Sequence, residues 1–76
     1  MKLKPLASNL TQLDLENVTI YFSYKTPVAG IDQSGDFFRS SAYYSPTTTK
    51  HIKKALGRFY NDAYEMTPAQ IEGLLK

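Results

Sequence analysis

The chain has no cysteine, so no disulfide can staple it and no thiolate can hold a metal. This fits a reducing compartment. It has one histidine, His51, so a zinc site would have to be built mainly from carboxylates. Its four glycines stand apart at 30, 35, 57 and 73, and no phosphate-cradling loop can be assembled from them. There is no Ser-x-Gly elbow, no Glu-x-x-His and no pair of histidines. The opening MKLKPLASNL carries two lysines but no long apolar run, so it is not expected to act as a signal peptide. No later stretch is long and apolar enough to span a bilayer. The expectation from these absences is a non-enzymatic protein with no catalytic residue, no metal, no cofactor and no membrane partner.

What is present is a short chain with uneven charge. Seventy-six residues make one domain, 1–76. A chain this size buries only about 60% of its unfolded surface, so extra burial through a partner or a second copy would help it. Net charge is only +2, but its placement is marked. Residues 47–60 hold Lys50, Lys53, Lys54 and Arg58 with no acid, whereas residues 61–75 hold Asp62, Glu65 and Glu72 with no base. Six tyrosines and four phenylalanines are many for this length. They either fill a small core or arm an interface, where tyrosine is enriched.

Periodicity places the elements. Leu10–Leu15 and Val18–Tyr24 alternate as strands, with Glu16-Asn17 as a two-residue hairpin turn in which Asn17 is suited to positive φ. Pro27 marks a strand start or an edge, and Gly30 marks a bulge or a close backbone approach. Residues 28–32 and 36–40 form a second hairpin around the Asp32–Asp36 turn. Only one of Phe37 and Phe38 can face the core of a regular strand. Ile52, Ala55, Leu56 and Phe59 then recur at helical spacing, with Lys50, Lys54 and Arg58 on another face. This basic amphipathic helix runs over about 47–57 or longer. Its cap is Ser45 before Pro46, or else Thr47 or Thr48, and Gly57 is either an interior glycine or the stop. Thr67, Pro68 and Gln70 form a capping box opening a short helix over 68–75, with Met66 and Ile71 placed as a staple. The fold class is α+β: a small antiparallel sheet of two β-hairpins, then the two helices. The expected core is Leu13, Leu15, Val18, Ile20, Phe22, Ile52, Leu56 and Phe59.

The basic helix is the one feature with a functional reading. Lys50, Lys53, Lys54 and Arg58, with Tyr43, Tyr44, Tyr60 and Phe38, are the candidate partner-binding residues. A basic face is most often only solvated; as a site, it fits either phosphates with tyrosines stacking on bases, or an acidic protein surface. Such a modest net charge disfavours a strong general nucleic-acid binder. His51 reads as a surface residue, and Ser40, Ser41 and the Thr47–Thr49 run read as turn and cap residues.

The runs Phe22-Ser23-Tyr24-Lys25-Thr26-Pro27-Val28-Ala29 and Thr47-Thr48-Thr49-Lys50-His51-Ile52 add a further expectation. Over roughly residues 3–57 the chain resembles a family of small uncharacterised proteins encoded by bacteriophages, and the segment after Gly57 departs from it. The resemblance carries no activity. It implies a phage accessory protein acting in the host bacterial cytoplasm, expected to bind and modulate a host protein of defence or gene expression. Two alternatives stand beside this reading. One is a nucleic-acid-binding module using the basic helix. The other is a structural or virion component, homo-oligomeric through Phe37, Phe38 and the terminal helix.

Overall fold

The computed structural model describes residues 2–42 and 44–75. These form β1 (Lys2–Ala7), β2 (Leu10–Asp14), β3 (Thr19–Ser23), β4 (Thr26–Ile31), β5 (Phe37–Ser40), α1 (Pro46–Leu56), a 3-10 turn (Gly57–Phe59), β6 (Tyr64–Met66) and α2 (Pro68–Gly73). The strands make one sheet in the order β1-β2-β3-β4-β5-β6. The fold is α+β as expected, but the sheet is larger and of mixed direction. The expected pairs β2–β3 and β4–β5 are present, and β1 joins as an antiparallel edge on β2. At the other edge β6 pairs parallel with β5. A parallel pair needs a long crossover, which the chain supplies through α1.

Alternation sends each strand's residues to two faces, and each face has its own helix. Tyr21 and Ala29 pack with Ile52 and Leu56 of α1. Ile20 and Phe38 pack with Ile71 of α2, with Met66, Leu74 and Leu75 beside them. The Thr19, Tyr21 and Ser23 face is therefore covered by the basic helix, and the Val18, Ile20 and Phe22 face is covered in part by α2. The expected core is corrected accordingly. Leu13, Ile20, Ile52 and Leu56 are buried, but Leu15, Val18 and Phe22 only partly so, and Phe59 is 37% exposed. The fully buried Phe38 and Ile71 take the central places in the α2 cluster.

Turns and caps follow the local chemistry. Leu15 N–H donates to Val18 C=O at 2.8 Å, closing the hairpin at Glu16-Asn17. Among non-glycine residues described, positive φ falls not at Asn17 but at Asn9 (62°) and Tyr24 (58°), each in a neighbouring turn. Pro27 sits at the start of β4, where Val28 is an unmatched residue between the Pro27–Phe22 and Ala29–Tyr21 pairs. Gly30 is a close-approach site: a Cβ there would stand 2.1 Å from the Thr19 carbonyl oxygen and 2.6 Å from the Phe38 ring.

Ser45 caps α1, its Oγ accepting from Thr48 N–H at 3.1 Å, with Pro46 in the first helical turn. Gly57, at φ 56°, ends the helix after Leu56 and donates its N–H to Lys53 C=O. In α2 the Thr67–Gln70 capping box is complete, with bonds of 2.9 and 3.2 Å, and the helix ends at Gly73 rather than at 75.

Candidate functional site

The exposed side of α1 and the turn after it carry Lys50, Lys53, Lys54 and Arg58. All four are exposed, and none is in an ion pair among the described residues. Their spacing follows from anchoring. Thr48, Ile52 and Leu56 are buried against the sheet, so the intervening lysines must face outward. Lys53 and Lys54 also lie in the last turn, where cations suit the helix dipole.

The neighbouring rings are engaged inside the molecule. The Tyr60 ring has Arg39 at 4.8 Å and Lys53 at 5.4 Å from its centroid. Arg39 holds this corner together: its Nε donates to the Tyr60 carbonyl at 3.2 Å and its guanidinium pairs with Glu65 at 3.3 Å. Phe59 stacks on Phe37 with centroids 4.4 Å apart and planes 6° from parallel, and Arg58 lies 5.1 Å from the Phe59 centroid. The half-buried Tyr44 has its hydroxyl 3.1 Å from Ser40 Oγ. Arg39, Tyr44, Thr49, Ile52, Tyr60 and Glu65 line a cavity of about 160 Å³ between α1 and β5.

Of the residues expected to bind a partner, the structure sets Lys50, Lys53 and Lys54 on the exposed side of α1, whereas Arg58 lies beyond the Gly57 stop, exposed in the 3-10 turn with its guanidinium over Phe59. Tyr60 stands at the edge of that side and Tyr44 beneath it. Phe38 is a correction. It is wholly buried over Gly30 and offers no surface. The half-buried Phe37 stacks on Phe59, and Ile71 of the terminal helix packs into the cluster with Ile20 and Phe38. Tyr43 lies outside the described residues.

His51 is half-buried rather than a plain surface residue. Its Nδ1 lies 2.7 Å from Ser23 Oγ, Ser23 Oγ lies 3.2 Å from Thr48 Oγ1, and Ser45 Oγ donates to Thr48 Oγ1 at 3.2 Å. With each hydroxyl donating onward, the hydrogen-bond chain ends on Nδ1 as the acceptor. Ser23 is 2% exposed, so its hydroxyl is sealed from any substrate and acts as a clasp between β3 and α1. The residues were 28 apart in sequence, and only the strand alternation that puts Ser23 on the face beneath α1 could have hinted at the pair.

Two other electrostatic features lie off the basic face. Asp32 Oδ1 accepts from the amides of Ser34 and Asp36 at 2.9 and 3.0 Å, and Oδ2 accepts from the Tyr64 hydroxyl at 2.6 Å. The Tyr64 hydrogen bond and these amides hold the Asp32 carboxyl below its ordinary value. The same bond pushes Tyr64 up to about 12, with burial and the Asp32 and Asp36 charges adding to it. Burial, then the Asp14 charge, raises Tyr21.

Residues 1–73 match the model of a family of unknown function, DUF8033, and the chain belongs to that family. The match runs past Gly57 through β6 and into α2, so the C-terminal segment is family sequence and not a departure particular to this chain. No curated protein and no solved structure matches it. Among the described residues no helix is long and apolar enough to cross a membrane.

Proposed function

We propose that the protein is a non-enzymatic phage accessory protein that binds an acidic surface on a host bacterial protein through the exposed face of α1. The observation that carries this reading is the set Lys50, Lys53 and Lys54 on α1 with Arg58 in the turn beyond it, all exposed and without an ion-pair partner among the described residues. Uncompensated charge of one sign steers and selects partners of the opposite sign. The rings beside this set favour protein over single-stranded nucleic acid. Base stacking needs an open aromatic face, and Tyr60 and Phe59 already contact Lys53, Arg39, Arg58 and Phe37. The phage setting comes from the resemblance over residues 3–57.

The test is capture from nuclease-treated bacterial lysate with tagged protein, beside a Lys50→Glu/Lys54→Glu variant. One host protein retained near stoichiometrically by the native chain and lost by the variant supports the proposal. Partners that vanish on nuclease treatment, with affinity falling steeply with salt, would replace it with the nucleic-acid reading.

A further inference from the structure

The helix α2 packs over Ile20 of β3 and Phe38 of β5 and leaves the β1–β2 part of its face, with the Tyr24 end of β3, open. There Leu3 is 67% exposed and Tyr24 55% exposed. Leu3, Thr11, Leu13, Phe22, Tyr24 and Lys25 line a cavity of about 290 Å³. A second depression across the ends of β1 and β2 shares Thr11, Tyr24 and Lys25 with it, so the two form one trough. Neither is lined by a carboxylate, and Lys25 is the charged residue common to both.

Tyr24 is the pivot of this trough. It takes φ 58° at the first central position of the β3–β4 turn, where glycine is favoured. Its ring is 5.8 Å from that of His51, so the trough abuts α1. A bulky residue held in left-handed backbone at the rim of an apolar cavity costs stability that a glycine or asparagine would spare.

We infer that this trough is a docking surface for an acidic, apolar segment of a partner protein, one apolar side chain entering the Leu3–Phe22–Tyr24 cavity and flanking carboxylates meeting Lys25. Charge complementarity decides the occupant. A second copy paired antiparallel along the β1 edge about Lys4 would set that exposed lysine against its own counterpart. A bilayer takes up protruding apolar side chains, whereas this surface is concave and receives one. The inference rests on the sheet face and stands independently of the α1 reading, although one partner can span both.

The experiment is a titration of isotope-labelled protein, followed by amide chemical shifts, with the blocked tetrapeptide Glu-Leu-Phe-Glu and its counterpart Lys-Leu-Phe-Lys. The acidic peptide should shift the amides of Thr11, Leu13, Phe22, Tyr24 and Lys25 and bind about tenfold more tightly than the basic one. Leu3→Glu and Lys25→Glu, both at exposed positions, should each abolish those shifts with the rest of the spectrum unchanged. Lys50→Glu/Lys54→Glu should retain them, which separates this surface from the α1 face. Absent shifts, equal binding of the two peptides, or shifts confined to α1 would overturn the inference. So would concentration-dependent shifts without peptide, which would mark self-association, or the same shifts produced only by phosphatidylglycerol vesicles.

Discussion

Ser23 Oγ and His51 Nδ1 stand 2.7 Å apart, and through that contact the basic helix is fastened to the strand it covers. The bond lies at the centre of α1, between the buried Thr48 on one side and the buried Ile52 and Leu56 on the other. The clasp sets how α1 lies on the sheet, and hence where its lysines point.

Breaking the clasp should loosen that placement. Ser23→Ala leaves His51 and Thr48 short of a partner in a mostly dry site, and a loss of about 1–3 kcal/mol is expected in urea unfolding. His51→Ala should cost a similar amount. The double variant should lose less than the sum of the two, because each single change already removes the shared bond. Simple additivity would mean that the two side chains do not act together.

Gly30 should be the least replaceable glycine. Gly30→Ala drives a methyl into the Thr19 carbonyl and the Phe38 ring, and a loss of about 3 kcal/mol or more is expected from overpacking against backbone. Gly73→Ala meets open space in a helix and should instead stabilise, by up to about 1 kcal/mol. Thermal melts of the two variants should move in opposite directions.

Much of this architecture could be read from local pattern. The Ile52–Leu56 part of the α1 stripe, the Ser45-Pro46 start, the Thr67–Gln70 box and the Asp32–Asp36 turn all depend on residues close in sequence, and all are present, while Phe59 falls outside the helix. β1 and β6 could not be read so. Lys2–Ala7 carries a proline and only weak alternation, and Tyr64–Met66 is three residues long. β1 is a strand because its hairpin with β2 completes the ladder, and β6 because the remote β5 does. The faces were misjudged for the same reason: Thr19, Tyr21 and Ser23 look half-polar, yet α1 covers them and turns Ser23 into a partner for His51. The exposure of Lys50, Lys53 and Lys54 was legible from spacing alone, but the alignment of Arg58 with them was not kept, because Gly57 stops the helix. The engagement of Tyr60 by Arg39 was not legible, because it joins β5 to the segment beyond α1.

The Asp32–Tyr64 bond should give the stability profile two shoulders. Asp32 is held below its ordinary value, so its contribution is full above the ordinary carboxylate range and is lost as pH falls through the folded value. Tyr64 is raised from 10.0 to about 12, so its contribution is full below 10.0 and is lost as pH rises through about 12. Tyr64→Phe removes the bond at every pH. The difference in denaturation midpoint between native chain and variant should be flat between those limits and shrink at both ends. A difference constant across the whole range would show that the bond is not linked to either ionisation.

Tyr24 should separate stability from binding. Tyr24→Asn suits the left-handed turn, and unfolding should show stability unchanged or raised by up to about 1 kcal/mol, while docking in the trough weakens. A marked loss of stability would instead assign Tyr24 a packing role.

The central claim is that the uncompensated face of α1 recognises an acidic host protein. It is tested most directly by comparing the native chain with Lys50→Glu/Lys54→Glu in nuclease-treated host lysate, each tagged and read by mass spectrometry. The account predicts one bacterial protein held near stoichiometrically by the native chain and absent from the variant. Equal retention by both, or a set of partners that disappears with nuclease, would contradict it.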